Sequence, residues 1–115
     1  MDDTYSLLPG KTMKTSIILP TYKEKDNIGE LIQTIFDTLQ PLNLDFEIVV
    51  VDDNSPDGTA EVVRQDFSHN GQVKLFVRTE ERGLATAIRY GIEHSESEIL
   101  VCMDTDFNHD PAIIP

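Results

Sequence analysis

The stretch EIVVVDDNSPDGT, residues 47–59, carries the strongest indication of how this chain folds. An apolar run over 47–51 predicts a strand, and two aspartates, Asp52 and Asp53, follow it directly. The next residues predict the start of a helix, with Ser55 as its cap and Pro56 in its first turn. A strand that leads into a helix is the repeating unit of a parallel α/β sheet.

The residues on both sides of this stretch repeat the alternation. Apolar runs predict further strands at 16–19, where Pro20 is expected to end the strand, at 73–77 and at 99–103. Between these strands, apolar residues recur at helical spacing. They are Ile28, Leu31, Ile32, Ile35, Phe36 and Leu39 in the first helix, Ala60, Val63 and Phe67 in the second, and Leu84, Ala87, Ile88, Gly91 and Ile92 in the third. Four strands separated by three helices predict a parallel α/β sheet with helices on both faces.

The composition narrows the classes of function. The chain has 115 residues, 39% of them hydrophobic, and we expect residues 1–12 to be a flexible lead to one domain over 13–115. The formal net charge of −12 argues against nucleic-acid binding, which needs a basic face. Any phosphate ligand must then arrive with a cation or meet a local cluster of donors. Cys102 is the single cysteine, and its apolar neighbours predict a core position.

Acidic side chains follow two of the predicted strands. Besides Asp52 and Asp53, the run MDTDFNHDP at 103–111 places Asp104 and Asp106 two residues apart. Side chains at i and i+2 of extended backbone point the same way, so these carboxylates can converge on a hard divalent cation, which in turn binds phosphate. The carboxyl ends of parallel strands share one edge of a sheet, and ligands bind along that edge. We therefore expect one shared site, formed by the segments 20–24, 52–58, 78–83 and 104–109.

At these residues the chain resembles the family 2 glycosyltransferases of the GT-A type and, within them, the dolichyl- or polyprenyl-phosphate mannosyltransferases. The resemblance covers about residues 15–115 and rests on four blocks: LPTYKE at 19–24, VVDDNSPDGT at 50–59, GLATA at 83–87 and MDTDFNHDP at 103–111. Lys23 stands where the subfamily usually has Asn, and Asp110 interrupts what is usually a pair of prolines. The resemblance implies a parallel, Rossmann-like GT-A sheet, of which this chain is the N-terminal, donor-binding part.

The resemblance also implies a reaction and the residues that carry it. The implied activity is an inverting, metal-dependent transfer of a hexose, mannose from GDP-mannose, to a dolichyl or polyprenyl phosphate. A transferase that uses UDP-glucose with another acceptor is the near alternative. The implied nucleotide-sugar-binding residues are Pro20, Tyr22, Glu24, Val50, Asp52, Asp53, Asp104, Thr105 and Asp106. Asp104 and Asp106 are also the implied catalytic residues and, with Asn108, the implied ligands of Mg²⁺ or Mn²⁺.

Three expectations concern the protein beyond this site. The sequence has no apolar run of about 20 residues and no signal peptide, so we expect a cytoplasmic protein whose full-length form lies at the cytoplasmic face of a membrane. The isolated chain is expected to keep its nucleotide and metal contacts but to transfer sugar poorly. An exposed sheet edge predicts self-association.

A two-component receiver domain is the alternative from a different class. Residues 50–56 are similar to its first strand and acidic pair, and residues 102–104 to the strand that would carry a phosphorylated Asp104. A complete strand and helix before Asp52, and the presence of Asp106, argue against it. Acetyl phosphate would give a receiver a labile acyl-phosphate adduct. A nucleotidyltransferase, the third alternative, needs a glycine-rich basic loop after the first strand, and residues 20–24 provide none.

Overall fold

The computed structural model describes residues 14–80 and 82–103 of the chain. Its elements are, in chain order, β1 (Lys14–Thr21), α1 (Ile28–Leu39), a 3-10 turn (Gln40–Leu42), β2 (Asp45–Asp52), α2 (Thr59–Phe67), β3 (Val73–Val77), α3 (Leu84–Glu93) and β4 (Ile99–Cys102). All strand pairs are parallel, and the strand order is β3-β2-β1-β4. The predicted parallel α/β sheet is therefore confirmed.

Helices cover both faces of this sheet. α1 and α2 pack on one face, where the apolar side of α1 is buried as its spacing predicted. The buried residues of α1 are Ile28, Leu31, Ile32, Ile35, Phe36 and Leu39. Phe36 lies against Phe46 of β2 with ring centroids 5.4 Å apart, and Val63 of α2 belongs to the same core. α3 packs on the other face, over β1 and β2.

α3 approaches the sheet closely at Gly91. A Cβ atom on Gly91 would lie 2.5 Å from Ile18 Cγ2, which is closer than side chains pack. Ala87 is also buried, but Leu84 is 66% exposed and Ile92 is 40% exposed, so the predicted inward face of α3 is wrong at its two ends. The helix approaches the sheet most closely through the small residues Ala87 and Gly91, and Tyr90 packs beside them on Phe76 of β3.

β1 continues beyond the proline that is predicted to end it. Pro20 lies within the strand, so that prediction is wrong. Successive residues of a parallel strand direct their backbone groups to alternate neighbours, and the Ile18 carbonyl accepts a hydrogen bond from Met103 on the β4 side. Pro20 lies two residues after Ile18, so its backbone nitrogen, which carries no hydrogen, faces the β4 side as well. On the other side the strand continues, because Pro20 and Thr21 pair with Val51 and Asp52 of β2.

The turn before α2 also differs from its prediction. The helix begins at Thr59, after Gly58 in the left-handed region at a φ of 94°. Pro56 precedes the helix, and Ser55 does not cap it. Instead, the Ser55 backbone N–H and hydroxyl both donate to the Asp52 carboxylate. A side-chain partner in the preceding strand has replaced the local capping contact.

The predictions for Cys102 and for the N-terminal residues have different outcomes. Cys102 is exposed, so its predicted core position is wrong. It lies on the edge strand of the described sheet, on the face where α3 covers β1 and β2. The predicted lead over 1–12 lies outside the described residues. None of the helices within 14–80 and 82–103 has the length and apolar character needed to cross a membrane.

A buried carboxylate connects the strands near their amino ends. Glu47 of β2 is 1% exposed, accepts a hydrogen bond from the Ser16 hydroxyl of β1, and lies 2.9 Å from Lys74 Nζ of β3. Burial alone would raise the pKa of Glu47, but hydrogen bonds from Ser16 and Lys74 and the positive charges of Lys74 and Lys14 hold the pKa below its usual value. The hydrogen bond to Glu47 likewise raises the pKa of Lys74.

Candidate functional site

The carboxyl edge of the sheet brings together three of the segments predicted to form the site. Thr21 at the end of β1 pairs with Asp52 at the end of β2, and Asp52 pairs with Val77 at the end of β3. The residues that follow each strand are therefore neighbours. The strand order reverses at β1, which has β2 on one side and β4 on the other. Ligands of open α/β sheets bind at such a reversal point.

Asp52 is fully buried and holds the loops of this edge together. Its Oδ1 accepts hydrogen bonds from the Thr21 hydroxyl at 2.6 Å and from the Ser55 hydroxyl at 2.7 Å, and its Oδ2 accepts one from the Ser55 backbone at 2.8 Å. The Ser55 oxygen in turn accepts the Lys23 backbone N–H at 2.9 Å. Asp52, the last residue of β2, thus connects the loop after β1 to the turn before α2.

Asp53 performs the same task for the loop after β3. Its Oδ1 lies 2.7 Å from Arg78 Nη2 and accepts a hydrogen bond from Arg78 Nε at 2.8 Å, and its Oδ2 accepts the Gly83 backbone N–H at 2.9 Å. Arg78 Nη2 also donates to the Gly83 carbonyl at 3.2 Å. Asp53 and Arg78 are each 6% exposed, so a nearly dry ion pair fixes both ends of the 78–83 loop.

The loop after β1 also docks on the start of α2. The Glu24 backbone donates to the Thr59 hydroxyl at 3.0 Å, and the Lys25 backbone donates to Asp57 at 3.2 Å. Asp57 further accepts the Thr59 hydroxyl at 2.6 Å. Partial burial would raise the pKa of Asp57, but these hydrogen bonds from Thr59 and Lys25 outweigh it and lower the pKa. The ionised carboxylate keeps the loop in place.

Tyr22 is an aromatic residue of this edge, and two cations lie against its ring. Its side chain is 42% exposed at the loop after β1. The Arg82 guanidinium carbon lies 5.1 Å from the ring centroid, and Lys23 Nζ lies 5.4 Å from it. Both distances are within the range of cation–π attraction. The structure therefore gathers an exposed aromatic ring and two positive charges where the strand order reverses.

The remaining predicted nucleotide-sugar residues lie at different depths. Glu24 is half-buried and receives a hydrogen bond from the Asn27 side chain at 3.3 Å. Pro20 is buried at the end of β1, and the Val50 side chain lies in the core beneath α1. Sequence reasoning did not predict the contacts made by the buried side chains of Thr21, Thr59 and Arg78 or by the partly buried Ser55. Arg78 carries a usable signal, because it follows β3 directly just as Asp53 follows the end of β2.

The predicted metal ligands and catalytic residues, together with Thr105, lie outside the described residues. Within 14–80 and 82–103, no three His, Cys, Asp or Glu side chains are grouped as a metal ion would require. The Met103 backbone donates to the Ile18 carbonyl at 3.1 Å, so the last described residue of this segment lies beside β1. Carboxylate and amide oxygens, as in Asp104, Asp106 and Asn108, are the ligands that Mg²⁺ and Mn²⁺ prefer, so the donor set fits such a cation.

A parallel sheet with covered faces and polar loops at its reversal point defines an α/β protein of the class that binds its ligands at the carboxyl edge. The family model of glycosyl transferase family 2 matches residues 16–115, and the chain belongs to this family. The receiver-domain alternative is not supported, since the match includes the strand–helix unit that precedes Asp52.

Within this family, the chain is similar to several mannosyltransferases. The chain is 46% identical over 103 residues to a dolichol-phosphate mannosyltransferase of Pyrococcus furiosus, covering 90% of this chain and 28% of that protein. It is 40% identical over 106 residues to a dolichol-phosphate mannosyltransferase of Saccharomyces cerevisiae, covering 90% of this chain and 39% of that one. A solved mannosyltransferase of Pyrobaculum calidifontis, in complex with GDP-Man and Mn²⁺, superposes with a TM-score of 0.73 at 34% identity over 85% of this chain and 29% of that structure. The chain thus spans 28% to 39% of the length of these curated relatives.

Proposed function

We propose that this chain is the donor-binding part of a dolichyl- or polyprenyl-phosphate mannosyltransferase that takes mannose from GDP-mannose with inversion. The observation that carries the proposal is the carboxyl edge, where Asp52 and Asp53 tie three loops into one surface next to β1. The 46% identity to a dolichol-phosphate mannosyltransferase supports the choice of donor and acceptor.

The residues of this edge have separate tasks in the proposed reaction. Tyr22 presents an exposed ring to the nucleotide, beside Pro20 and Glu24. Asp52 and Asp53 act from beneath, because their oxygens already accept hydrogen bonds from the surrounding loops. They position the nucleotide pocket more than they contact the nucleotide.

Asp104, Asp106 and Asn108 would hold Mg²⁺ or Mn²⁺, with Thr105 along the nucleotide. When bound there, such a cation neutralises the negative charge that builds up on the departing diphosphate. The proposed acceptor is a lipid phosphate, whose oxygen is anionic at neutral pH. A strong general base is therefore less necessary than it would be for a sugar hydroxyl.

The decisive experiment is a binding titration of GDP-mannose and UDP-glucose, with and without Mn²⁺, on the wild type and on Asp106→Ala. We expect GDP-mannose to bind more tightly than UDP-glucose, Mn²⁺ to strengthen binding to the wild type, and Asp106→Ala to lose this gain. Tighter binding of UDP-glucose would instead favour a UDP-sugar-dependent transferase of the same family. Equal, metal-independent binding of both donors by both proteins would refute the donor site itself.

Two further properties are proposed for the isolated chain. Because it spans 28% to 39% of its curated relatives, we propose that it binds the donor but transfers mannose poorly. We also propose that it self-associates, since β4 lies at an edge of the described sheet with Ile99 and Leu100 each 40% exposed. Light scattering tests the second point, and a strict monomer would contradict it. A cytoplasmic location, at a membrane surface in the full-length protein, stays a prediction.

A further inference from the structure

We propose that Arg82 is a donor-binding residue whose guanidinium contacts the diphosphate directly. The inference rests on the proposed function, because it takes the carboxyl edge as the donor site.

Arg82 reaches across the sheet to the point where a ligand would lie. Its backbone follows β3, yet its guanidinium lies 5.1 Å from the ring centroid of Tyr22, which follows β1. β2 separates these two strands in the sheet. The side chain therefore spans the end of β2 and arrives at β1, the strand at which the strand order reverses.

The backbone beside Arg82 is fixed by buried contacts. Gly83 donates its N–H to Asp53 at 2.9 Å and accepts a hydrogen bond from Arg78 at 3.2 Å. Gly83 has a φ of 123°, a conformation that favours glycine and directs the chain into α3. The Arg82 carbonyl accepts the Thr86 hydroxyl at 3.3 Å within the first turn of that helix. The exposed guanidinium thus extends from an anchored backbone.

The negative net charge of the chain makes positive charge at the donor site necessary for binding an anionic donor. A net charge of −12 repels an anionic donor unless positive charge is concentrated at the site. Guanidinium groups bind phosphate oxygens in a planar, two-pronged geometry, and their contact with an aromatic face restricts the side chain before the ligand arrives. The Arg82 guanidinium is exposed at the carboxyl edge, where it can contact a phosphate, and its contact with the Tyr22 ring restricts the side chain.

The test compares GDP with guanosine, which lacks the diphosphate, on three variants in the presence of Mg²⁺. We expect Arg82→Gln to weaken GDP binding by about tenfold and to leave guanosine binding unchanged, since only the phosphate contact is lost. Arg82→Lys keeps the charge but not the planar geometry, so its loss for GDP should be smaller. Arg89→Gln is the control, because Arg89 is an exposed arginine of α3 that lies 3.7 Å from Glu93. It should bind GDP as the wild type does.

Different outcomes separate this inference from the proposed function. If the wild type binds GDP and Arg82→Gln binds it equally well, Arg82 has no role and the donor site stands. If Arg82→Gln weakens GDP and guanosine by the same factor, the side chain supports the base or the Tyr22 ring, and a diphosphate contact is refuted. If the wild type binds no GDP, both proposals fail. Thermal unfolding should show Arg82→Gln and Arg89→Gln to be equally well folded.

Discussion

Arg78 and Asp53 form a buried ion pair at the carboxyl edge of the sheet, with Arg78 Nη2 2.7 Å and Nε 2.8 Å from Asp53 Oδ1. The pair joins the end of β2 to the loop after β3. Because the same carboxylate also accepts the Gly83 N–H, one aspartate determines where the 78–83 loop lies above the sheet. Asp53, the residue after β2, therefore contributes to the architecture of the site as well as to its charge.

Asp53→Asn tests how much this ion pair contributes to the free energy of unfolding. Asparagine has nearly the same shape as aspartate but no charge, so the Arg78 guanidinium would stay buried without its counterion. We expect the free energy of unfolding to fall by about 3 kcal/mol, as measured by urea denaturation. Glu93→Gln is the control, because it removes an exposed ion pair with Arg89 and should cost less than about 0.5 kcal/mol. Equal effects of the two substitutions would show that burial of the Asp53 pair has no energetic consequence.

Gly91→Ala tests the close approach of α3 to β1. The added methyl group would lie 2.5 Å from Ile18 Cγ2, so the helix or the strand must shift. We expect the free energy of unfolding to fall by roughly 2 kcal/mol.

Gly29→Ala is the matched control in α1. Its methyl group would meet Asp66 Oδ2 at 3.6 Å and Val62 at 3.7 Å, which are ordinary contacts. Alanine is the better helix former, so this variant should be more stable by about 0.5 kcal/mol. Thermal unfolding of both variants gives the comparison, and a loss of stability at Gly29 as large as that at Gly91 would contradict the close approach.

Lys23→Asn should stabilise the chain. Lys23 has a φ of 60°, in the left-handed region, and the other non-glycine residues with positive φ in the described part of the chain are Asn43 and Asn54. Asparagine adopts this conformation at lower cost than lysine, and the backbone hydrogen bond to Ser55 would be kept. We expect a gain of about 0.5 kcal/mol in chemical denaturation. Lys25→Asn, at an exposed neighbour without positive φ, should give no such gain, and equal gains would exclude the backbone as the cause.

The Glu47 cluster should make stability depend on pH in a defined direction. The folded pKa of Glu47 is lowered, so its contribution to stability is present above the unfolded pKa of about 4.3 and is lost as the pH falls through the folded value. The folded pKa of Lys74 is raised, so its contribution is present below about 10.4 and is lost as the pH rises through the folded value.

Glu47→Gln should therefore lower the melting temperature at pH 7 and change it less at pH 3. The chain has 21 acidic residues, so the difference between wild type and variant is the informative quantity. Glu61→Gln, in an exposed pair with Arg64, should give a small difference at both pH values. A difference at Glu47 that stays constant between pH 7 and pH 3 would contradict the lowered pKa.

Much of the fold follows from local pattern. The spacing of apolar residues in α1 predicted all six of its buried positions, because one side of an amphipathic helix must face the core. The predictions at Ser55, Pro20 and Cys102 failed for a common reason. Each depends on a neighbouring strand, namely the Asp52 carboxylate at the end of β2, the pairing of β2 with the end of β1, and the position of β4 at the edge of the described sheet.

The alternation of strands and helices, and the gathering of polar loops at one edge, were readable from the order of residues alone. Hydrophobic periodicity is a local property, and parallel strands connected by helices direct their carboxyl ends to the same side. The roles of Asp52 and Asp53 emerged only from the folded molecule. Their partners Thr21 and Arg78 are 31 and 25 residues away along the chain, and no local pattern encodes which distant hydroxyl or guanidinium will meet a given carboxylate.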